Sequence, residues 1–325
     1  MSQFDFSPVC NITEDQLEAW FDHLDIVFEK TPRQYFVNHW LGDPDRSVKD
    51  VWVVMDNATQ PPTIASTVRL FRRETFVNGQ PQKTGAIGEV STKKEYQCQG
   101  LSTRILDKIK EVMKSDGTTL SVLHSSAKVD FYAKRGWLST PKDQTKRSLS
   151  TMDVSMEGLS LEDVDVSDRD QASQLCSMHN EFTKKYNGTF KWSEGYLSLY
   201  IGAEMKSQEA STSWIRDESG KRIAFLFLAQ KKGRHPDHTL TVRNYSALPQ
   251  IDVLRGFTFR GFPVAPENHQ EQVVYPTPLF EGDDREGQGI EVQRHVGMMV
   301  HPLSSQLDMK AFSEEKNVFW DADGF

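Results

Sequence analysis

The stretch EVSTKKEYQCQGLSTRIL, residues 89–106, limits what this chain can fold into more than any other. A strand runs into a polar loop carrying Gly100, and an apolar periodicity begins at once behind the glycine. The segment therefore reads as strand, bare loop, helix. The first N–H groups of a helix have no partner within it, and a glycine-bearing turn sets further N–H groups beside them. Such a cradle suits a phosphate. Gln97, Cys98, Gln99, Gly100, Leu101, Ser102 and Thr103 are the candidates to form it. Val90, Ser91 and Thr92 offer main-chain groups along the edge of the preceding strand.

The neighbouring segments read consistently. In LSTRILDKIKEVMKSDG, the residues Leu101, Ile105, Leu106, Ile109, Val112 and Met113 recur at helical spacing, and Asp116-Gly117 ends the run. Upstream, helices are expected over 13–29 and 34–40, strands over 51–55 and 64–71, and a hairpin turn at Asn78-Gly79 leading into the strand 86–92. Downstream, TLSVLH (119–124) reads as a strand. AKVDFYAKRGW (127–137) reads as a short helix closed by Gly136.

Composition sets the outer bounds. A chain of 325 residues is long enough for two domains with a core each. A net charge of −8 without a Lys/Arg run argues against non-specific nucleic-acid binding. No stretch has the ~18 consecutive apolar residues that a membrane helix needs. Cys10, Cys98 and Cys176 are too few and too scattered for a disulfide framework or a zinc site, so a reducing compartment is expected, with no metal. The start MSQFDFSPVC shows no secretory signal, and the cytoplasm is the expected location.

An acidic change of texture at 156–173 places a boundary near 156–165, giving expected units of 1–156 and 165–325. The second unit echoes the first: a helix near 170–187, a second around Trp192 and Tyr196, the strand RIAFLFLAQ (222–230), and a strand over 237–248 running into a helix start. His235 and His238 lack a metal-ligand array and read as surface loop, as does the charged run 281–289.

Two motifs carry a resemblance. The loop Gln97-Cys98-Gln99-Gly100-Leu101-Ser102 resembles the Gln/Arg-x-x-Gly-x-Gly/Ala signature of the GCN5-related N-acetyltransferases (GNAT), and FYAKRGW resembles their Tyr-plus-Gly-aromatic segment. IGEVSTKKEYQCQG (87–100) with LSVLHSSAKVDFYAKRGW (120–137) is similar to the fungal lysine N6-acetyltransferases of lysine catabolism. The motif resemblance covers residues 64–140, and the two-part layout is similar to that of the mycobacterial enhanced-intracellular-survival acetyltransferases. The sequence departs from the pattern at Ser102, where Gly or Ala is usual, at Lys93 and Lys94, where prolines are favoured, and at Ser125 and Ser126.

What the resemblance implies is a mixed α/β (α+β) GNAT fold with a mostly antiparallel, splayed central sheet. A C-terminal α+β domain would shape the acceptor site, with a degenerate copy of the first as one reading. The co-substrate would be acetyl-CoA, held by Val90 to Thr92, by Gln97 to Thr103 and by Ser125, with strand N–H groups near Val90 facing the oxyanion. Tyr132 would protonate the departing thiolate, and Cys98 would serve only through its backbone. Glu89 is the candidate base, directly or through water, because an alkyl ammonium with a pKa near ~10.4 must lose a proton before attack. Strand alternation offers the other reading, a carboxylate turned to solvent or into a salt bridge. The C-terminal carboxylate of the tail 319–325 is a second candidate beside simple packing. The acceptor implied is a small-molecule amine, first L-lysine. A polyamine, an aminoglycoside-like molecule or a secondary metabolite is the alternative, as is a non-catalytic acyl-CoA-binding module.

Overall fold

The computed structural model describes residues 4–125, 127–148, 158–203, 210–230, 239–248, 272–276, 290–307 and 309–312. The first half opens with β1 (Cys10–Asn11), α1 (Leu17–Val27) and α2 (Arg33–Gly42). A meander of β2 (Val51–Asp56), β3 (Thr63–Val77) and β4 (Gln80–Thr92) follows. Asn78 and Gly79 turn β3 into β4 with φ of 51° and 78°, the left-handed pair that a two-residue hairpin turn requires. Next come α3 (Leu101–Ser115), β5 (Leu120–His124), α4 (Val129–Ala133) and β6 (Leu138–Ser148).

The strand β2 explains the layering. All six of its residues are buried, the mark of a strand covered on both faces. Val51, Val53 and Met55 pack with Trp20, Phe21, Leu24, Phe36 and Trp40 of α1 and α2. Trp52 and Val54 pack on the opposite face with Leu101, Ile105, Leu106, Ile109 and Met113 of α3. The apolar stripe of α3 is thus seated on the sheet, and its N-terminus is held at the end of β4.

The second half comprises β7 (Ser160–Asp163), α5 (Arg169–Thr183), a π-helical turn (Tyr196–Ile201), β8 (Ala210–Arg216), β9 (Arg222–Gln230), β10 (Thr239–Ala247), β11 (Gln272–Pro276) and β12 (Ile290–Pro302). The helix expected around Tyr196 is therefore wound as a π turn. Ser126, the pair His235 and His238, the helix start after 248, the run 281–289 and the tail 319–325 lie outside the described residues.

Among the described residues all twelve strands form one sheet, in the order β1-β2-β3-β4-β5-β12-β6-β11-β10-β9-β8-β7. The pairing is antiparallel except for β4 with β5 and β10 with β11. Exchange each strand for the one six places away in sequence, and the order reads the same from the other end. Among the described residues each half has two helical segments ahead of a three-strand antiparallel meander, and then a strand parallel to the last of the three. β6 and β12 trade places: each lies beside the other half's parallel strand, and the two pair with each other. Among the described residues the strand order of the second half repeats that of the first. The division expected at 156–165 falls within this continuous sheet, and β12 lies between β5 and β6.

Each half buries a histidine on its first helix. His23 Nδ1 donates to the Ile64 carbonyl at 3.0 Å, and its Nε2 accepts from Ser91 Oγ at 3.0 Å. His179 Nε2 donates to the Phe190 carbonyl at 3.0 Å, and its ring stacks on Trp192 at 3.7 Å. Burial pushes His23 down to about 4 and His179 down to about 3. In the unfolded chain both return to the ordinary value near ~6.5. Their folded values are depressed, so below pH ~6.5 the unfolded state binds protons that the fold refuses, and stability falls with pH. Lowering the pH from 7 to 5 is expected to remove about 2 kcal/mol per histidine, read as a lower urea midpoint by tryptophan fluorescence.

Candidate active site

The sheet opens where the loop begins. The parallel pairing of β4 with β5 runs from Thr84–Leu120 to Ile87–Leu123, while β4 continues to Thr92. Beyond Ile87 lies a cleft of about 530 Å³. It is lined by Val90, Ser91 and Thr92 from β4, by every residue from Gln97 to Thr103, and by Tyr132. Segments more than 40 residues apart in sequence thus meet around one space.

Two residues of the loop have left-handed backbone. Gly100 is the N-cap of α3 with φ 74°, and Cys98 also has a positive φ, 62°. A Cβ on Gly100 would meet nothing within 4 Å, so the glycine is required by its left-handed backbone rather than by crowding. The space in front of the helix N-terminus is open, as a diphosphate would need. Ser102, which replaces the usual small residue, ties the loop to the strand. Its hydroxyl lies 2.7 Å from Thr92 Oγ1 and 3.3 Å from Ser66 Oγ, and Ser66 Oγ donates to the Ser91 carbonyl at 2.9 Å.

Glu89 has a different setting, buried beside the cleft rather than lining it. Thr67 pairs with Ser91 and Arg69 with Gly88, so Glu89 and Val90 together oppose Val68 in a β-bulge. Glu89 has φ 53°, a costly conformation for a side-chain-bearing residue. The bulge breaks the alternation, and the Glu89 side chain is only 6% exposed. Its Oε1 accepts from His39 Nδ1 at 3.0 Å and from Arg69 Nη1 at 3.5 Å. Its Oε2 is buried and has no hydrogen-bond partner. Arg69 in turn donates from Nη2 to Asp43 Oδ2 at 2.8 Å.

Tyr132 is 8% exposed, and burial pushes its phenol up to about 12 against a smaller downward pull from Arg135. It therefore keeps its proton through the physiological range. Ser125 is not part of the cleft lining; its hydroxyl accepts from the Lys128 N–H at 3.1 Å, at the entry to α4. Cys98 is exposed on the loop. Among the described residues no group of three or more His, Cys, Asp or Glu side chains could hold a metal ion, and no helix is long and apolar enough to cross a membrane.

Residues 9–139 match the family model of the acetyltransferase (GNAT) domain. The chain carries a GNAT domain. Solved structures place the fold in the same group. The GCN5-related N-acetyltransferase from Anabaena variabilis is 13% identical with a TM-score of 0.71, covering 92% of this chain and 73% of that one. Eis1 from Mycobacterium abscessus is 9% identical with a TM-score of 0.64, covering 91% and 74%. The Saccharomyces cerevisiae N-myristoyltransferase with bound myristoyl-CoA is 12% identical with a TM-score of 0.57, covering 98% and 90%. A comparison with curated proteins finds no match. Residues 9–139 thus match an acetyltransferase domain, and the solved structures share its fold.

Several residues of the GNAT cleft escaped the sequence reading. Val27, Tyr96, Lys128, Phe131 and Arg135 also line it. Arg135 donates from Nε to Thr103 Oγ1 at 3.1 Å and stacks its guanidinium on Phe131 at 3.7 Å, which sets a fixed cation beside the loop. It lies in the quoted segment FYAKRGW, but only its spatial return to Thr103 distinguishes it from a solvated arginine. His39, Asp43, Arg69 and Tyr200 carry no local signal. They are single residues that no motif in the sequence groups together.

Proposed function

We propose that the chain transfers the acetyl group of acetyl-CoA directly to a primary amine in a ternary complex, with N6 of free L-lysine as the preferred acceptor. One observation carries this reading: a buried carboxylate oxygen without a partner, Glu89 Oε2, on the same strand as the cleft-lining Val90 to Thr92. An amine must lose a proton to become a nucleophile, and Oε2 is an acceptor with nothing yet to accept. The β4 main chain near Val90 supplies N–H donors toward the oxyanion without reorganisation. Gln97 to Thr103 hold the diphosphate, with Arg135 adding charge. Tyr132 gives its phenolic proton to the sulfur as the thioester C–S bond breaks, and regains one from water. Cys98 needs no part, since the acetyl group passes straight to nitrogen.

The choice of lysine rests on the likeness of 87–100 and 120–137 to the fungal lysine N6-acetyltransferases. Its test is a competition among L-lysine, spermidine and kanamycin with acetyl-CoA, following thiol release and product mass. L-Lysine is expected to react fastest and to gain its acetyl group at N6. Faster turnover of another amine would replace the acceptor and keep the chemistry. Binding of acetyl-CoA without turnover of any amine would leave a non-catalytic module.

A further inference from the structure

We infer that His39 and Tyr200 are positioning residues for Glu89, so that a hydrogen-bonded line crossing between the two halves of the chain sets up the base. This rests on the reading of Glu89 as base. The line starts in the second half: the Tyr200 hydroxyl, on the π turn, lies 2.5 Å from His39 Nε2. His39 sits on α2, and its Nδ1 meets Glu89 Oε1 at 3.0 Å. A carboxylate oxygen only accepts, so Nδ1 carries the hydrogen. In the neutral imidazole Nε2 is then an acceptor, and the Tyr200 hydroxyl donates to it. With Nε2 accepting, the donors run from Tyr200 to Glu89.

That direction defines the role. Both donors to Glu89, from His39 and from Arg69, end on Oε1. Oε2 is left with none, so the carboxylate is held in one orientation with one oxygen reserved. Tyr200 and His39 are themselves fixed by packing. Tyr200 stacks on Tyr196 at 5.1 Å, and His39 lies between Tyr35 at 5.6 Å and Phe71 at 5.4 Å. The charged groups surrounding the line are Arg69 and Arg73 of β3 and Asp43 at the end of α2, each at most 3% exposed. The π turn and α2 occupy matching places in the two half-chains, each the second helical segment before a meander. The second half therefore gives the site a residue, beyond covering it.

The test is a set of single and double variants, assayed with acetyl-CoA and the fastest of L-lysine, spermidine and kanamycin. Tyr200→Phe keeps the ring and removes the hydroxyl; His39→Ala removes the donor to Glu89, and His39→Gln restores an amide N–H. Tyr200→Phe and His39→Ala are each expected to lower kcat by about 10-fold or more with KM for acetyl-CoA unchanged, and His39→Gln to recover part of it. In a Glu89→Gln background neither should lower kcat further, because the orientation they impose no longer matters. Losses that multiply in that background, or no loss in either single variant while Glu89→Gln is costly, would overturn the positioning role and leave Glu89 as base. If Glu89→Gln alone changed nothing, the base reading itself would fail and take this one with it.

Discussion

Glu89→Gln is expected to lower kcat by about 100-fold or more at neutral pH, with the dissociation constant for acetyl-CoA unchanged by calorimetry. Glutamine keeps the shape, and its amide oxygen can still accept from His39 and Arg69 as Oε1 does. Its NH₂ then falls where Oε2 was and offers hydrogens in place of a lone pair. The variant must wait for amine that is already neutral in solution. With an ammonium pKa near ~10.4, that fraction rises about 10-fold per pH unit, so kcat/KM of the variant should climb steeply toward alkaline pH. The gap between the two enzymes should close accordingly. Tyr132, pushed up to about 12 by burial, stays protonated across that range and does not confound it. An equal loss at about pH 7 and about pH 9.5, on either side of most of that rise, would mean that Glu89 only shapes the site.

Local pattern made much of this legible. The helical stripe from Leu101 to Met113, the Asn78-Gly79 turn and the left-handed Gly100 are each settled within a few residues of chain, and they place the loop 97–103. Glu89 and its surroundings are settled elsewhere. Alternation along β4 predicts a side for Glu89 only if the pairing is regular, and the bulge against β3 is visible only in the register. Arg69 is the one cation within IASTVRLF, and nothing local in that strand tells which side it takes. It is 1% exposed because Asp43 and Glu89, 26 and 20 residues away, neutralise it. The crossing of β6 and β12 is likewise a long-range pairing, to which the local acidic stretch at 156–173 gives no clue. Sequence texture does not say which sheet edge each strand completes.

The largest stability loss is expected at Asp43. Its side chain is 2% exposed and lies between two buried guanidiniums. Oδ2 accepts from Arg69 at 2.8 Å, and Oδ1 is 3.1 Å from Arg73 Nη2, an ionic approach without directed hydrogen-bond geometry. Around them also lie Glu89 Oε1, 3.5 Å from Arg69, the more exposed Asp45, 3.6 Å from Arg73, and the ring faces of Phe71, 4.2 Å from Arg69, and Tyr196, 4.9 Å from Arg73. Ring faces favour a cation only weakly, and arginine cannot shed its charge. Asp43→Asn should therefore cost about 3–5 kcal/mol, since removing one partner strands the others in a medium that solvates them poorly. In a melt this corresponds to a fall in Tm of roughly 10 °C. The triple variant Asp43→Leu, Arg69→Met, Arg73→Met separates stability from function. Replacing buried ionic partners together by apolar groups of similar volume is often neutral for stability; Glu89 keeps only His39, and the Tm should still lie above that of Asp43→Asn, where two guanidiniums are stranded. Its kcat should still fall, because Glu89 Oε1 loses the Arg69 donor and the carboxylate keeps only His39 to fix its orientation. A triple variant both as stable and as active as the parent would show that the buried charges serve neither purpose.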